Sequence, residues 1–237
     1  MKPGHLRFLA EMGLAPVWRS KRGAARDAAS AEQAGPAQGA AATRAARIGS
    51  MDWAELRSAV SGCTACALRE GCTRTVFGTG DEHAGWMLVG EAPGAEEDRL
   101  GEPFVGQAGR LLDSMLAAIG LARDRDVYIA NVLKCRPPGN RNPAPDEVAQ
   151  CAPHLLRQIE LVRPKLILAM GRFAVQTLLA SDASISSLRG RVHRYHGVPL
   201  VVTYHPAYLL RTLPDKAKAW SDLVFARRQM AKGDSGA

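Results

Sequence analysis

No apolar run in these 237 residues approaches the roughly 18–20 needed to cross a bilayer, although 46% of the chain is hydrophobic. Lys2 and Arg7 precede a short apolar patch, but no long apolar region or small-residue cleavage site follows. That argues against a secretory leader and for a cytoplasmic protein with no membrane partner. The cysteines number five. An odd count without a leader disfavours a disulfide framework and makes metal or cluster ligation the main alternative to scattered thiols. Two phosphate-cradling signatures are also missing: GxGxxG, and GxxxxGK followed by Ser or Thr. No internal repeat is visible.

What is present begins with charge. The net formal charge is +8, which favours a polyanionic partner because a cationic surface releases phosphate counterions. Residues 1–50 hold eight Lys/Arg against three Asp/Glu, so +5 lies there and +3 is left for the remaining 187 residues. A solvated basic extension accounts for the charge as well as a DNA-binding face does. Residues 24–47 are Ala-rich with Gln, Gly, Pro and Arg interspersed, and read as a flexible linker. Ahead of it, residues 6–19 carry Leu6, Leu9 and Met12 at near-helical spacing, then Trp18. An apolar peptide on a tether suits partner docking, here a replication or repair protein. It loosely resembles the N-terminal peptide with which the psi subunit of bacterial DNA polymerase III grips chi. Packing on its own domain is the alternative.

The folded domain is expected over residues 51–232, with 1–50 as an extension and 233–237 as a tail. Asp52–Val60 reads as a short helix. Strands are expected at Trp86–Val89, Val127–Ile129, Lys165–Met170 and Leu200–Thr203. Helices are expected at Leu111–Ile119, from Asp146 through Leu161, at Phe173–Leu179, and at Lys216–Met230. This alternation predicts a three-layer α/β/α fold around a central, mostly parallel four-stranded sheet. Ligands in such folds bind beyond the carboxyl ends of the strands.

Three loops and one cysteine set sit at such ends. Gly90-Glu91-Ala92-Pro93-Gly94 follows a strand and leads through Glu97 and Asp98 to Gly101-Glu102-Pro103-Phe104-Val105-Gly106. Its glycines permit close backbone approach, and its amides suit a planar heterocycle or an anion. Asn131 offers a donor and an acceptor together, which matches the edge of a base. Lys134, Arg136 and Arg141 are placed to meet phosphates. His205-Pro206-Ala207-Tyr208-Leu209-Leu210-Arg211 follows another strand; its histidine suits a developing anion. Leu209 and Leu210 beside Arg211 look like an exposed wedge. Cys63 and Cys66 form a C-x2-C pair, and Cys135 and Cys151 have 15 residues between them. The wide second pair fits a four-cysteine iron–sulfur cluster better than zinc, with unrelated thiols also open. Cys72 reads as a plain loop thiol.

Together these motifs resemble the family 4 uracil-DNA glycosylases, the iron–sulfur enzymes of bacteria and archaea, over about residues 52–230. The resemblance implies a [4Fe-4S] cluster on Cys63, Cys66, Cys135 and Cys151. It also implies uracil excision from single- or double-stranded DNA by a nucleoid-associated monomer. Phe104 would stack on the extruded uracil, Asn131 would read its edge, and His205 would bond O2. Backbone near Gly90, Glu91 and Ala92 would close the pocket. Ala92 stands where the best-known uracil glycosylases place a water-orienting Asp, so Glu91 and Glu97 become the catalytic candidates. No Lys is needed as a Schiff-base nucleophile, and Cys135–Asn142 contains no histidine to trap the sugar. A monofunctional enzyme is expected.

Overall fold

The computed structural model describes residues 36–234, with side chains from Ala42 to Lys232. The docking peptide proposed at residues 6–19 lies outside them. From Pro36 the Ala-rich stretch is not a linker but a helix, α1 (Pro36–Gly49). Alanine has the highest intrinsic helix propensity, so the composition that suggested a tether also favours this outcome. The compact unit spans Thr43–Ala237, and within it Ile48 is buried against Leu56, Val60 and Phe77. Helix α2 (Trp53–Ser61) starts at a reciprocal cap. The Asp52 carboxylate accepts from the Glu55 amide, and the Glu55 carboxylate accepts from the Asp52 amide.

The sheet contains β1 (Thr79–Gly80), β2 (Trp86–Gly90), β3 (Val127–Asn131), β4 (Leu166–Met170), β5 (His193–Tyr195) and β6 (Val198–Thr203). Their order is β1-β3-β2-β4-β6-β5. The expected four-stranded sheet is therefore six-stranded and mixed. The inner four strands are parallel, while β1 and β5 pair antiparallel at the two edges. β5 joins β6 through His196 and Gly197, both with positive φ (45° and 84°), as a tight hairpin turn requires.

Helices α3 (Ala95–Leu100), α4 (Gln107–Ala118), α5 (Pro145–Val162), α6 (Arg172–Leu179), α7 (Ile185–Leu188), α8 (Pro206–Leu209) and α9 (Lys216–Asp234) complete the chain. They cover both sheet faces. Met87, Val89, Tyr128 and Ala130 pack with Leu155 and Ile159 of α5 on one side. Trp86, Leu88, Val127 and Ile129 pack with Leu112 of α4 and Leu223 of α9 on the other. Burial on both faces explains why β2, β3 and β4 are unbroken apolar runs. Their carboxyl ends, and that of β6, open toward one rim. Among the described residues, no helix is long and apolar enough to cross a membrane.

Candidate active site

At that rim lies a cavity of about 630 Å³, within the range of small-ligand sites. It is lined by the loop after β2 (Glu91, Ala92, Pro93, Gly94), by Phe104, by Asn131 at the end of β3, and by His205 just beyond β6. The sequence-identified groups thus converge. The Phe104 and His205 rings stack at 5.4 Å between centroids and 28° between planes. Beneath them Asn131 is only 2% exposed, and its Oδ1 is buried without a hydrogen-bond partner. An unpaired buried acceptor costs about 1–3 kcal/mol, which is sustainable at a place meant to receive a donor.

Local backbone chemistry builds this slot. Gly90 has no alternative: a Cβ there would strike Asn131 Oδ1 and stand 2.7 Å from Phe104 Cζ. Gly171, with φ of 87°, faces His205, where a Cβ would come within 2.8 Å of the histidine Cβ. Phe104 itself adopts φ of 55°, an uncommon state for a bulky residue. Two clamps hold it. Arg123 donates to the carbonyls of Pro103 and Phe104, both at 2.8 Å, while pairing with Asp113. From the other side Glu97 Oε1 accepts from the amides of Val105 (3.0 Å) and Gly106 (3.3 Å). Glu97 Oε2 accepts from Gly94, so both of its oxygens tie loops together.

The two acidic candidates consequently differ. Glu91 lines the cavity, and burial pushes its pKa up to about 7. His205 moves the other way: burial, aided by the Arg211 charge and opposed by Glu97, lowers it to about 4. Its Nδ1 accepts from the Ala207 amide at 3.1 Å. A neutral ring with Nδ1 accepting carries its proton on Nε2, so that nitrogen is a donor.

Two expected DNA contacts are corrected. Lys134 is 2% exposed and turns inward, donating to the Asn131 carbonyl (2.8 Å) and to Gln158 Oε1 (2.7 Å). After β3 the chain dives into the layer under α5, so the ammonium braces the strand end instead of meeting a phosphate. Leu209 is buried with Tyr204 and Ala219 because its position in α8 faces the core. Leu210 is 38% exposed and Leu213 60% exposed, leaving these two as the apolar projection. Arg136 bonds Asn140. Arg141 lines the rim while pairing with Glu147, and Arg211 lines it as an exposed cation. Arg172 and Phe173, which begin α6, also line the cavity. Sequence reasoning missed them because a single Gly-Arg after a strand carries no signature.

A second, much smaller cavity of about 20 Å³ is lined by Cys63, Cys66, Cys135 and Cys151 together with Lys134 and His154. Burial raises Cys66, Cys135 and Cys151, with neighbouring cysteines adding to the effect. Two donors already face these sulfurs: the Lys134 amide to Cys151 Sγ (3.3 Å) and Arg44 Nη2 to Cys63 Sγ (3.6 Å). Among the described residues, no three His, Cys, Asp or Glu side chains converge closely enough to hold one metal ion. Cys72 does not line this cavity, though it neighbours Cys135.

The model of the uracil DNA glycosylase superfamily matches residues 77–224. The chain belongs to that superfamily. Several type-4 members of it resemble this chain. The type-4 uracil-DNA glycosylase of Archaeoglobus fulgidus is 47% identical over 159 residues, 64% of this chain and 79% of the relative. That of Thermotoga maritima is 46% identical over 154 residues, 64% and 80% respectively. That of Pyrobaculum aerophilum is 41% identical over 183 residues, 73% and 92%. The superfamily match takes in all three loops around the larger cavity, as well as Cys135 and Cys151.

Proposed function

We propose that this protein excises uracil from DNA by hydrolysing the N-glycosidic bond, as a monofunctional base-excision-repair enzyme. The observation that carries the reading is the unpartnered Asn131 Oδ1 under the Phe104–His205 stack. A buried acceptor at that depth asks for a ring N–H. Uracil offers one at N3, whereas cytosine presents a bare acceptor there, so one atom rewards the damaged base and penalises the normal one.

The base reaches the slot only after leaving the helix, at a cost of a few kcal/mol in stacking and pairing. Phe104 takes over the lost stacking. Leu210 and Leu213 fill the gap in the duplex, and Arg141 and Arg211 hold the flanking phosphates. As the glycosidic bond lengthens, negative charge grows on the uracil ring and positive charge on the sugar. His205 Nε2–H donates to O2 and stabilises the anion, remaining neutral as the lowered pKa dictates. Glu91 orients the attacking water and takes its proton; Glu97, with both oxygens on backbone amides, is a positioning residue.

Cys63, Cys66, Cys135 and Cys151 would hold a [4Fe-4S] cluster. Four thiols lining one cavity match the all-thiolate ligation such a group takes. When bound, such a group ties the C-x2-C loop to the segment after β3 and to α5, and it takes no part in bond cleavage. The enzyme acts as a monomer, with residues 6–19 as the docking peptide for a replication or repair protein.

The direct test incubates the protein with uracil-bearing oligonucleotides, single- and double-stranded, followed by alkali. Breaks at the uracil positions alone are expected, and none before alkali. Intact strands after alkali would sink the reading, and breaks without alkali would sink its monofunctional part.

A further inference from the structure

The cavity at the rim is larger than one base needs. Uracil has eight non-hydrogen atoms, so it displaces at most about eight waters, roughly 240 Å³ at liquid volume. The cavity measures about 630 Å³, and the slot formed by Phe104, Asn131 and His205 is only one side of it. The other side is lined by Arg172, Phe173, Ile185, Tyr204, Tyr208 and Arg211. His205 joins the two sides. Its ring stacks on Phe104 and also lies against Gly171, the residue before α6.

Local structure fixes what the second side offers. Helix α6 turns Ala174, Val175 and Leu178 into the core, which leaves Phe173 half-buried at the cavity wall. The Arg172 guanidinium lies 5.8 Å from the centroid of that ring. The tyrosine part of the wall is held in place. Tyr204 and Tyr208 stack at 5.2 Å and 18°; Tyr208 donates to Asp215 Oδ2 (2.6 Å), and the Tyr204 hydroxyl bonds Ser186 Oγ (3.1 Å). The carboxylates lining the cavity, Glu91 and Glu97, belong to the base slot. Among the described residues, no carboxylate pairs with Arg172 or Arg211.

Two free cations beside a preformed aromatic wall suit a flat ring joined to an anion, the chemistry of a nucleotide. Aromatic rings with arginines nearby hold single-stranded nucleic acid without reading its sequence. The nucleotide at hand is the neighbour of the uracil, tethered to it by one phosphodiester. In a duplex that neighbour stays paired, whereas in a single strand its base is free to turn onto the wall.

We propose that this side of the cavity is a second nucleotide subsite. There the base next to the uracil in single-stranded DNA stacks on Phe173, and its phosphate meets Arg172. The inference rests on the uracil-excision reading and extends it from one base to two.

The test measures kcat/KM for uracil release from a single-stranded oligonucleotide by the full-length protein. Two further oligonucleotides carry a tetrahydrofuran abasic analogue in place of the base on the 5′ or the 3′ side of the uracil. For wild type, removing the neighbour on at least one side is expected to lower kcat/KM roughly 5–100-fold, the usual worth of one base stacked on an aromatic ring. F173A should show that loss on the intact strand and no further loss when the same neighbour is removed. F173Y, which keeps the ring, should stay within about threefold of wild type. R172A should reduce the salt dependence of binding by about one phosphate contact. A wild type indifferent to both analogues overturns the proposal, whether or not any variant folds. So do F173A and analogue losses that multiply independently, or equal losses in F173A and F173Y. An unchanged salt slope in R172A overturns the phosphate contact. An all-base strand left whole by wild type after alkali sinks the uracil reading and this one with it; cutting that ignores both neighbours sinks this one alone.

Discussion

Two cavities hang from the end of one strand. Asn131 closes β3 beneath the base slot, and Cys135, four residues on, faces the thiol cavity. The first is about 630 Å³ and open at its rim; the second is about 20 Å³. The larger holds a buried acceptor with no partner, Asn131 Oδ1. The larger is built for an occupant that arrives and leaves, so its unpaired acceptor is a selective device. The smaller gathers four cysteines, a set that suits a group that stays. Lys134 stands between them, bonding the Asn131 carbonyl with its side chain and Cys151 with its amide.

If that contrast is right, damage to the slot should abolish chemistry and spare the fold. H205A is expected to lower the single-turnover rate of uracil release roughly 10²–10³-fold, the usual cost of one donor to a developing oxyanion. Its thermal midpoint should stay close to wild type. A rate within a few-fold of wild type would break the assignment of His205.

G90A comes next. The added methyl collides with Asn131 Oδ1 and Phe104 Cζ, and relief through side-chain shifts costs about 1–3 kcal/mol. A rate loss of roughly tenfold or more is expected, with iron content unchanged. Parallel loss of iron would show that the two cavities are not separable.

The pH dependence sharpens the same point. Uracil release should fall as pH drops through about 7, where Glu91 takes up a proton, and E91Q should be slow and lack this limb. Stability runs the other way. A carboxyl whose pKa rises on folding favours the folded state below its unfolded value near 4.5, an advantage lost as pH rises through about 7. His205, lowered on folding, contributes stability above its unfolded value near 6.5 that is lost as pH falls through about 4. A rate that stays flat from pH 5 to 8 would remove Glu91 from the chemistry.

The smallest effect is expected at the other cavity. R44A removes a bond to Cys63 and one to the Gln150 carbonyl. Iron loss under air should quicken several-fold, while uracil release from a freshly prepared sample stays within about twofold. A large rate loss with iron retained would mean that α1 serves the base slot.

How much of this was readable beforehand follows from burial. The four inner strands were legible because packing on both faces makes them continuous apolar runs. The edge strands were not: Thr79–Gly80 is two residues long, and His193–Tyr195 is polar and owes its pairing to a hairpin turn. Phe104, Asn131 and His205 were found because each lies in a recognisable motif at or beyond the carboxyl end of a strand. Lys134 and Leu209 were misplaced because residue type suggests exposure, while direction depends on where the backbone turns. Arg123 was invisible because its task is to hold two carbonyls, a role without a sequence signature.

One further feature bears on inheritance. Helix α4 contains Gly109, where any Cβ would occupy the space of the Phe104 carbonyl. A substitution there must push the strained 104 backbone, and with it the stacking ring, out of line. Codon 109 should therefore tolerate change as poorly as the codons for the base-reading residues, although its side chain touches no base. In a lineage that must keep its genome free of deaminated cytosine, the mutator alleles of this gene will include lesions at a helix position that makes no contact with the base.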